Sequence, residues 1–323
     1  MNLNSQTKAN LKNRIIQRVL FDFIFVCIKI VSGFFKIAQW RLKMPRVSVL
    51  TPIYNTNPVH LRAAIESILN QTFTDFEFLI LNDSPDNKEL DNIVKSYKDK
   101  RIKYIKNEHN MGISGARNKL LKMAVGEYIA VFDHDDISVP TRLEEEVDFL
   151  DKNPNVGVVS GLMEFFGEKQ GISAWFPEYD AEIKMRMTDN CSVSHTACMM
   201  RKSVLVDNNI EYESYYSPAE DYRLFARLME HTLFYNIQSV LVKYRFFSGN
   251  TTHVQAARMS RAHDEIQTDF RNKFWAYYIA YQRNISPRTV FRLSLFGFVP
   301  LLKVKSRTVY LFGFIPLFKF KWK

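Results

Sequence analysis

The chain has 323 residues, 46% of them hydrophobic and 24% charged, with a net charge of +10. That is ample for one real core of some 200 residues plus flanks, and three scattered cysteines (Cys27, Cys191 and Cys198) indicate neither a disulfide framework nor a zinc site, so a reducing compartment is the simpler expectation. The positive charge belongs to the two ends: residues 1–46 hold nine Lys/Arg against one acid, residues 283–323 hold nine against none, and the stretch between them is left at −7.

From Arg14 to Lys43 the charged residues Arg14, Arg18, Asp22, Lys29 and Lys36 fall within an arc of about 80° on an ideal helix, and Phe, Ile, Val and Leu fill the rest. No uncharged run reaches the roughly 18 residues that a spanning helix needs. Asp22 and Lys29 interrupt what would be the apolar centre of a secretory signal, and no small-residue cleavage site follows. The pattern predicts a helix lying in a membrane interface, with a helix packed on the enzyme's own surface or on a second subunit as the alternative.

Beyond it the chain alternates. Arg46 to Ile53 reads as an apolar strand, Tyr54 to Pro58 breaks it, and Val59 to Leu69 has helical spacing. Phe76 to Leu81 is a second strand ending in Asn82-Asp83-Ser84-Pro85-Asp86, followed by a charged helix from about Lys88 to Tyr97. Arg101 to Lys106 is a third strand, Ile113 to Ala124 a third helix, and Glu127 to Phe132 a fourth strand that runs into Asp133-His134-Asp135-Asp136. Short apolar strands alternating with helices predict an α/β fold with a mostly parallel sheet covered on both faces. Ligands of such sheets sit outside the carboxyl ends of the strands, where the polar clusters Thr51 to Asn55, Asn82 to Asp86 and Asp133 to Asp136 all fall. Three carboxylates crowded at a strand end repel one another unless a cation sits among them; a solvated turn ahead of the next helix is the simpler role for Asp136.

Five ordered motifs carry a resemblance. Thr51-Pro-Ile-Tyr-Asn55, Leu81-Asn-Asp-Ser84, Gly112-Ile-Ser-Gly-Ala-Arg-Asn118, Phe132-Asp-His-Asp-Asp136 and Ala219-Glu-Asp-Tyr-Arg-Leu-Phe-Ala-Arg-Leu228 resemble those of the family 2 inverting glycosyltransferases of GT-A (Rossmann-like) fold, of the type that builds bacterial surface glycans. The resemblance runs from about Val47 to about Tyr244. It implies that Thr51, Pro52, Tyr54, Asn82 and Asp83 lie around the donor nucleobase, with Arg117 near the ribose or phosphates and Asp133 on the donor. It also implies that Asp133 and Asp135 form the DXD metal pair, Asp135 the more direct ligand, and that Asp221 is the general base.

Residue chemistry agrees with those roles. A nucleotide-sugar presents a diphosphate, and Mn2+ or Mg2+ held by one or two carboxylates with phosphate oxygens completing the shell is the usual solution. Inverting transfer needs a carboxylate on the opposite face of the sugar to take the proton of the attacking hydroxyl. Asp221 begins an amphipathic helix in which Leu224, Phe225, Leu228 and Met229 are expected to pack inward; a first-turn acid favoured by the helix dipole is its simpler role, as for Glu220. His195 and Glu220 are candidates for the acceptor or phosphate side, and a hydrogen-bonded core histidine is the alternative for His195. Family members often carry a histidine after the pair matching Tyr244-Arg245; here Phe246 and Phe247 follow and His253 comes later. Gly112 and Gly115 do not make a phosphate-binding glycine loop, because the Lys-Ser/Thr ending and the dinucleotide spacing are both missing.

The C-terminal end repeats itself. Leu295-Phe-Gly-Phe-Val-Pro-Leu-Leu-Lys-Val-Lys305 returns as Leu311-Phe-Gly-Phe-Ile-Pro-Leu-Phe-Lys-Phe-Lys321. Apolar aromatic blocks joined to lysines suit anionic headgroups, and two anchors hold better than one; a hairpin packed on the main domain is the alternative. The expected organisation is a basic membrane-associating segment over residues 1–46, a catalytic domain over 47–250, and a C-terminal helix with a repeated basic-aromatic tail over 251–323. The expected function is metal-dependent, inverting hexosyl transfer from a nucleotide-sugar, most simply a UDP-sugar, to a lipid-linked or cell-surface glycan. The enzyme is expected to be peripheral on the cytoplasmic face of a membrane, without a nucleic-acid partner. A nucleotidyltransferase on a related sheet would need a basic phosphate-clamping loop, and Thr51 to Asn57 contains no Lys or Arg; a non-catalytic membrane adaptor would keep the fold without the chemistry. Acceptor choice is expected to depend on loops such as Glu164 to Asp180.

Overall fold

The computed structural model describes residues 44–247 and 255–282, and the backbone of four further strands between 290 and 319. The predicted N-terminal interfacial helix and His253 lie outside the described residues.

Strand β1 (Val47–Ile53) leads through Asn57, whose side chain caps the N–H groups of Val59 and His60, into α1 (Pro58–Leu69) with proline at its first position. Strand β2 (Phe76–Asn82), α2 (Lys88–Ser96, capped by Asn87), β3 (Ile102–Lys106), α3 (Gly112–Met123) and β4 (Tyr128–Val131) follow as expected, each boundary within two residues. Strands β1, β2 and β4 are buried along their whole length, because helices cover both faces. Leu50, Leu79, Leu81 and Val131 point into one core layer; Val49, Phe78, Ile80 and Ala130 point into the other.

The second half is mixed. After β5 (Ile137–Ser138) and α4 (Arg142–Lys152) come β6 (Val156–Gly167), β7 (Gly171–Ile172), α5 (Asp180–Arg186), β8 (Cys198–Arg201), α6 (Lys202–Asp207), α7 (Glu220–Leu228) and β9 (Leu233–Phe246). The nine-stranded sheet runs β3-β2-β1-β4-β8-β6-β9-β5, with β7 paired to β6. β1 to β4 are mutually parallel, β8 is antiparallel to β4 and β6, and β6 is parallel to β9. That reversal has a functional consequence: the amino end of β8 and the carboxyl ends of β6 and β9 arrive at the same rim as the carboxyl ends of β1, β2 and β4. As expected, Leu224, Phe225, Leu228 and Met229 are buried. Ile266 and Phe270 of α8 (Ala256–Lys273) join the same core layer, and α9 (Trp275–Gln282) follows.

Strands β10 (Val290–Leu295), β11 (Val299–Lys305), β12 (Thr308–Leu311) and β13 (Ile315–Lys319) pair as an antiparallel meander. The sequence repeat corresponds to a backbone repeat: Leu295 pairs with Val299 as Leu311 pairs with Ile315, and the register slips at Leu293/Ser294 as it does at Val309/Tyr310. Each copy therefore begins at the close of a hairpin.

Candidate active site at the carboxyl rim of the sheet

The nucleobase side is built where β1 and β2 end. Thr51 is buried and its hydroxyl donates to the Phe132 carbonyl at 2.8 Å, tying β1 to the acidic loop after β4. Pro52 pairs with Leu81 in the sheet, and Tyr54 stands 54% exposed just past the strand. Asn55 takes a left-handed φ of 45° and its N–H donates to the Ser84 hydroxyl at 2.7 Å, closing the two rim loops on each other. Asn82 is fully buried, donating to Asp91 and to the Tyr104 hydroxyl while accepting from the Ser84 N–H, so its role is to hold the rim rather than to face it. Asp83 accepts from Asn107 Nδ2 at 2.6 Å and from the Met111 N–H at 2.9 Å. A carboxylate offers about four lone-pair sites, so Asp83 keeps capacity for one more donor. Met111 opens α3, and Gly112 follows with φ of +70°, a conformation that costs glycine little.

The acidic loop leaves β4 beside β8. The Asp133 N–H donates to Thr196 Oγ1 at 3.2 Å, and Asp136 is buried with one carboxylate oxygen accepting the Arg245 N–H at 2.8 Å. Arg245 Nε also donates to the Asp135 carbonyl, so the end of β9 clamps the loop. Burial raises the Asp136 carboxyl well above its ordinary pKa, with Asp135 and Asp133 adding repulsion, and burial likewise raises Asp135. Burial also lifts the neighbouring Tyr244 phenol, and the charges of Asp136, Asp133, Asp135 and Asp221 push it further.

Arg117 joins this loop to the opposite wall. Its guanidinium is buried, donates to Asp133 Oδ1 at 3.0 Å and to Glu220 Oε1 at 2.7 Å, and lies 5.5 Å from the Tyr212 ring centroid. Burial opposes its charge, yet Asp133, Glu220, Tyr212 and Asp221 hold its pKa above the ordinary value. Burial alone would raise Asp133; the Arg117 charge, above all, holds it low instead. Asn118 fixes Tyr212 by a reciprocal pair of backbone hydrogen bonds, donating to the Tyr212 carbonyl at 2.9 Å and accepting its N–H at 2.8 Å, which accounts for the Arg-Asn ending of that motif.

Glu220 and Asp221 occupy the first turn of α7, where the dipole favours acids. Asp221 is partly buried and accepts the Tyr222 N–H at 2.7 Å. Burial, then the Glu220 charge, pushes its carboxyl up to about 6. Its pKa thus sits near the working pH of a general base. His195 is buried, its Nε2 lies 2.8 Å from the Tyr212 hydroxyl, and its ring packs edge-on against Tyr212 and Phe225. Burial, reinforced by Arg117, lowers its pKa far enough to keep the ring neutral.

Among the described residues no group of three or more His, Cys, Asp or Glu side chains converges as a metal cage. A cation that shares diphosphate oxygens needs only one or two carboxylates. Here Asp133 is already paired with Arg117, while the Asp135 side chain has only His134 Nδ1 near it, at 4.0 Å, among the described cationic groups in ion-pair range. Crowded, partly uncompensated acids at the rim fit a shared divalent cation, with Asp135 the more available ligand.

Residues 48–207 match the family model Glycosyl transferase family 2. An uncharacterised glycosyltransferase of Methanocaldococcus jannaschii is 36% identical over 211 residues, 64% of this chain and 72% of the relative. The chain belongs to glycosyl transferase family 2. Among further relatives of this family 2 glycosyltransferase is the Escherichia coli UDP-Glc:alpha-D-GlcNAc-diphosphoundecaprenol beta-1,3-glucosyltransferase, 31% identical over 160 residues, 49% of this chain and 61% of the relative. The fold matches S. aureus TarS 1-349 in complex with UDP-GlcNAc at a TM-score of 0.57 and 21% identity, over 74% of each chain. It also matches a mannosyltransferase from Pyrobaculum calidifontis in complex with GDP-Man and Mn2+, at a TM-score of 0.52 and 14% identity, over 74% of this chain and 72% of that one.

The rim of the glycosyltransferase thus gathers Thr51, Tyr54, Asp83, Asp133, Asp135, Glu220 and Asp221 from four segments. Two participants escaped the sequence reading: Tyr212 carries no motif of its own, and Thr196 was visible only as the neighbour of His195. Asp136 was read with the acidic motif, but its hydrogen bond to Arg245 was not.

Proposed function

We propose that the enzyme transfers a sugar, with inversion, from a UDP-linked donor to the hydroxyl of a lipid-linked or cell-surface glycan. The observation that carries this reading is Arg117, whose buried guanidinium ties Asp133 of the acidic loop to Glu220 beside Asp221. One residue thereby sets the donor-diphosphate side against the acceptor side across a single cleft.

Thr51, Tyr54 and Asp83 take the nucleobase. Asp135, with Asp133 beside it, would hold Mn2+ or Mg2+ shared with the diphosphate, where the cation offsets charge on the leaving group. Asp221 accepts the proton of the attacking acceptor hydroxyl as that oxygen bonds the anomeric carbon and the bond to the diphosphate breaks. An α-linked donor then gives a β-linked product. The E. coli relative's lipid diphosphate acceptor and the nucleotide-sugar complexes of the two matched structures support this choice of substrates.

The basic, apolar ends support a peripheral position on an anionic cytoplasmic leaflet. No described helix is long and apolar enough to cross a membrane.

The test is a screen of UDP-glucose, UDP-N-acetylglucosamine and GDP-mannose with manganese, first for thermal stabilisation and then for release of nucleoside diphosphate. Stabilisation and turnover by a UDP-sugar are expected. A protein that neither binds nor cleaves any of the three contradicts the reading.

A further inference from the structure

We propose that a cleft beside α5, walled by Trp175, is a binding subsite for a pyranose ring of the acceptor glycan, one or more residues away from the ring that is glycosylated. This rests on the transfer reading above. The cleft has a volume of about 240 Å³ and is lined by Trp175, Pro177, Glu182, Met185, Arg186 and Tyr281. Pockets that bury a drug-sized ligand run roughly 300–1,000 Å³, so this one suits a single small ring.

Its aromatic wall is rigid and open at once. Trp175 is 50% exposed although its turn is pinned: buried Ser173 donates its N–H to the Met163 carbonyl at 2.9 Å and accepts the Met163 N–H on its hydroxyl at 2.7 Å. The indole stacks on Phe165 with centroids 5.8 Å apart and planes 8° apart, and meets Phe176 edge-on at 5.8 Å. The Lys169 ammonium lies 4.7 Å from the Phe165 centroid and 5.9 Å from that of Trp175. An aromatic ring fixed in this way offers a ready-ordered surface on which a flat apolar face can stack.

The wall of the cleft is mostly apolar, with two charged residues, Glu182 and Arg186, among those that line it. Arg186 donates to the Tyr281 hydroxyl at 3.0 Å, and that hydroxyl donates to Asp189 at 3.1 Å, so both side chains are held in place. The Glu182 side chain makes no hydrogen bond or ion pair among the described residues. A pyranose presents C–H bonds on its flat face, which the electron-rich face of an indole attracts, and hydroxyls on its rim, which a carboxylate and a guanidinium can bind as acceptor and donor. A lipid chain would bury Glu182 and Arg186 without satisfying them, and an anion would meet the Glu182 carboxylate.

The cleft is coupled to the transfer site by packing. Phe165, stacked on Trp175, lies 5.9 Å edge-on from the Tyr244 ring, which borders the acidic loop and Asp221. On the other side of α5, Met187 accepts a hydrogen bond from the Tyr222 hydroxyl of α7, the helix that carries Asp221. In this proposal a glycan whose terminal hydroxyl faces Asp221 lays a further ring across α5. This places acceptor discrimination in the Glu164 to Asp180 loop.

The experiment is saturation-transfer NMR on the full-length chain with a millimolar mixture of glucose, galactose, mannose, rhamnose and N-acetylglucosamine, repeated on Trp175→Ala, Trp175→Phe and Glu182→Leu, alongside nucleoside diphosphate release from UDP-sugars in water. At least one sugar should give ring-proton signals that fall about fivefold or more in Trp175→Ala and in Glu182→Leu and persist in Trp175→Phe, while donor cleavage changes less than about twofold. Donor cleavage without any sugar signal dependent on Trp175 and Glu182 overturns the subsite alone; absence of donor cleavage in the wild type overturns the transfer reading and the subsite with it. A Trp175→Ala protein that sediments as a smaller species than the wild type assigns the cleft to self-association and also overturns the proposal.

Discussion

The proposed base, Asp221, is partly buried in the first turn of α7 beside Glu220. Its carboxyl is lifted to about 6 by burial and by Glu220, so the proton-accepting form dominates above that value and is lost below it. kcat/KM should therefore fall about tenfold per pH unit on the acid side of pH 6, read from a pH-rate profile. Asp221→Asn should lower kcat by about 100-fold or more with donor affinity nearly unchanged, because the lost interaction matters in the transition state. Asp135→Asn should abolish turnover with an unchanged circular dichroism spectrum, and excess chelator should silence the wild type reversibly. For Arg117 the motif implied a place near the ribose or phosphates of the donor; the structure adds that the guanidinium pairs with Asp133 and with Glu220, 103 residues away. No local pattern announces a partner that distant, and the same holds for Tyr212 and Arg245. Arg117→Met should cost about 3–5 kcal/mol in denaturant unfolding, since it strands the buried Glu220 carboxylate and leaves the partly buried Asp133 without its cation. A donor contact alone would instead raise KM and leave stability intact.

At the scale of elements the first half of the domain was legible because its signals are local: apolar runs for fully covered strands, Asn57 and Asn87 as caps, and Pro58 at a helix start. The second half was not, since β8 reverses direction and β6 and β9 pair across 77 residues of sequence from Val156 to Leu233, a relation no periodicity encodes. One buried device there also went unread. Arg142 and Glu146 pair at 3.1 Å with neither side chain exposed, and Arg142 donates to the Val131 and Cys198 carbonyls, stapling β4 to β8 directly beneath the acidic loop. An i,i+4 pair in a charged helix looks like ordinary surface in sequence. Arg142→Ala should lower unfolding free energy by about 3–5 kcal/mol, because it leaves Glu146 and two carbonyls without their buried partner. Asp148 and Lys152, an exposed i,i+4 pair 2.6 Å apart on the same helix, supply the control: their substitution should change stability by less than about 1 kcal/mol.

For the molecule as a whole, charge is segregated from chemistry. The catalytic rim is acidic, and the +8 and +9 ends flank a stretch of −7. If both ends dock on an anionic leaflet, the full-length protein should float with anionic liposomes, bind neutral ones weakly, and lose part of its affinity as salt rises while an apolar component remains. Co-flotation across a salt series measures this, and indifference to anionic vesicles would assign the ends to a protein partner. The repeat illustrates what sequence conveys at this scale: its two copies were plain, whereas their placement at the close of the first and third hairpins of one meander depends on strand pairing.

The most direct measurement is the anomeric configuration of the sugar released or transferred from an α-linked UDP-sugar in manganese, followed by proton NMR before mutarotation, in wild type and Asp221→Asn. The account predicts UDP and a β-configured product from the wild type, with the rate down about 100-fold in the variant. An α-configured product, or a variant that turns over at the wild-type rate, would contradict it.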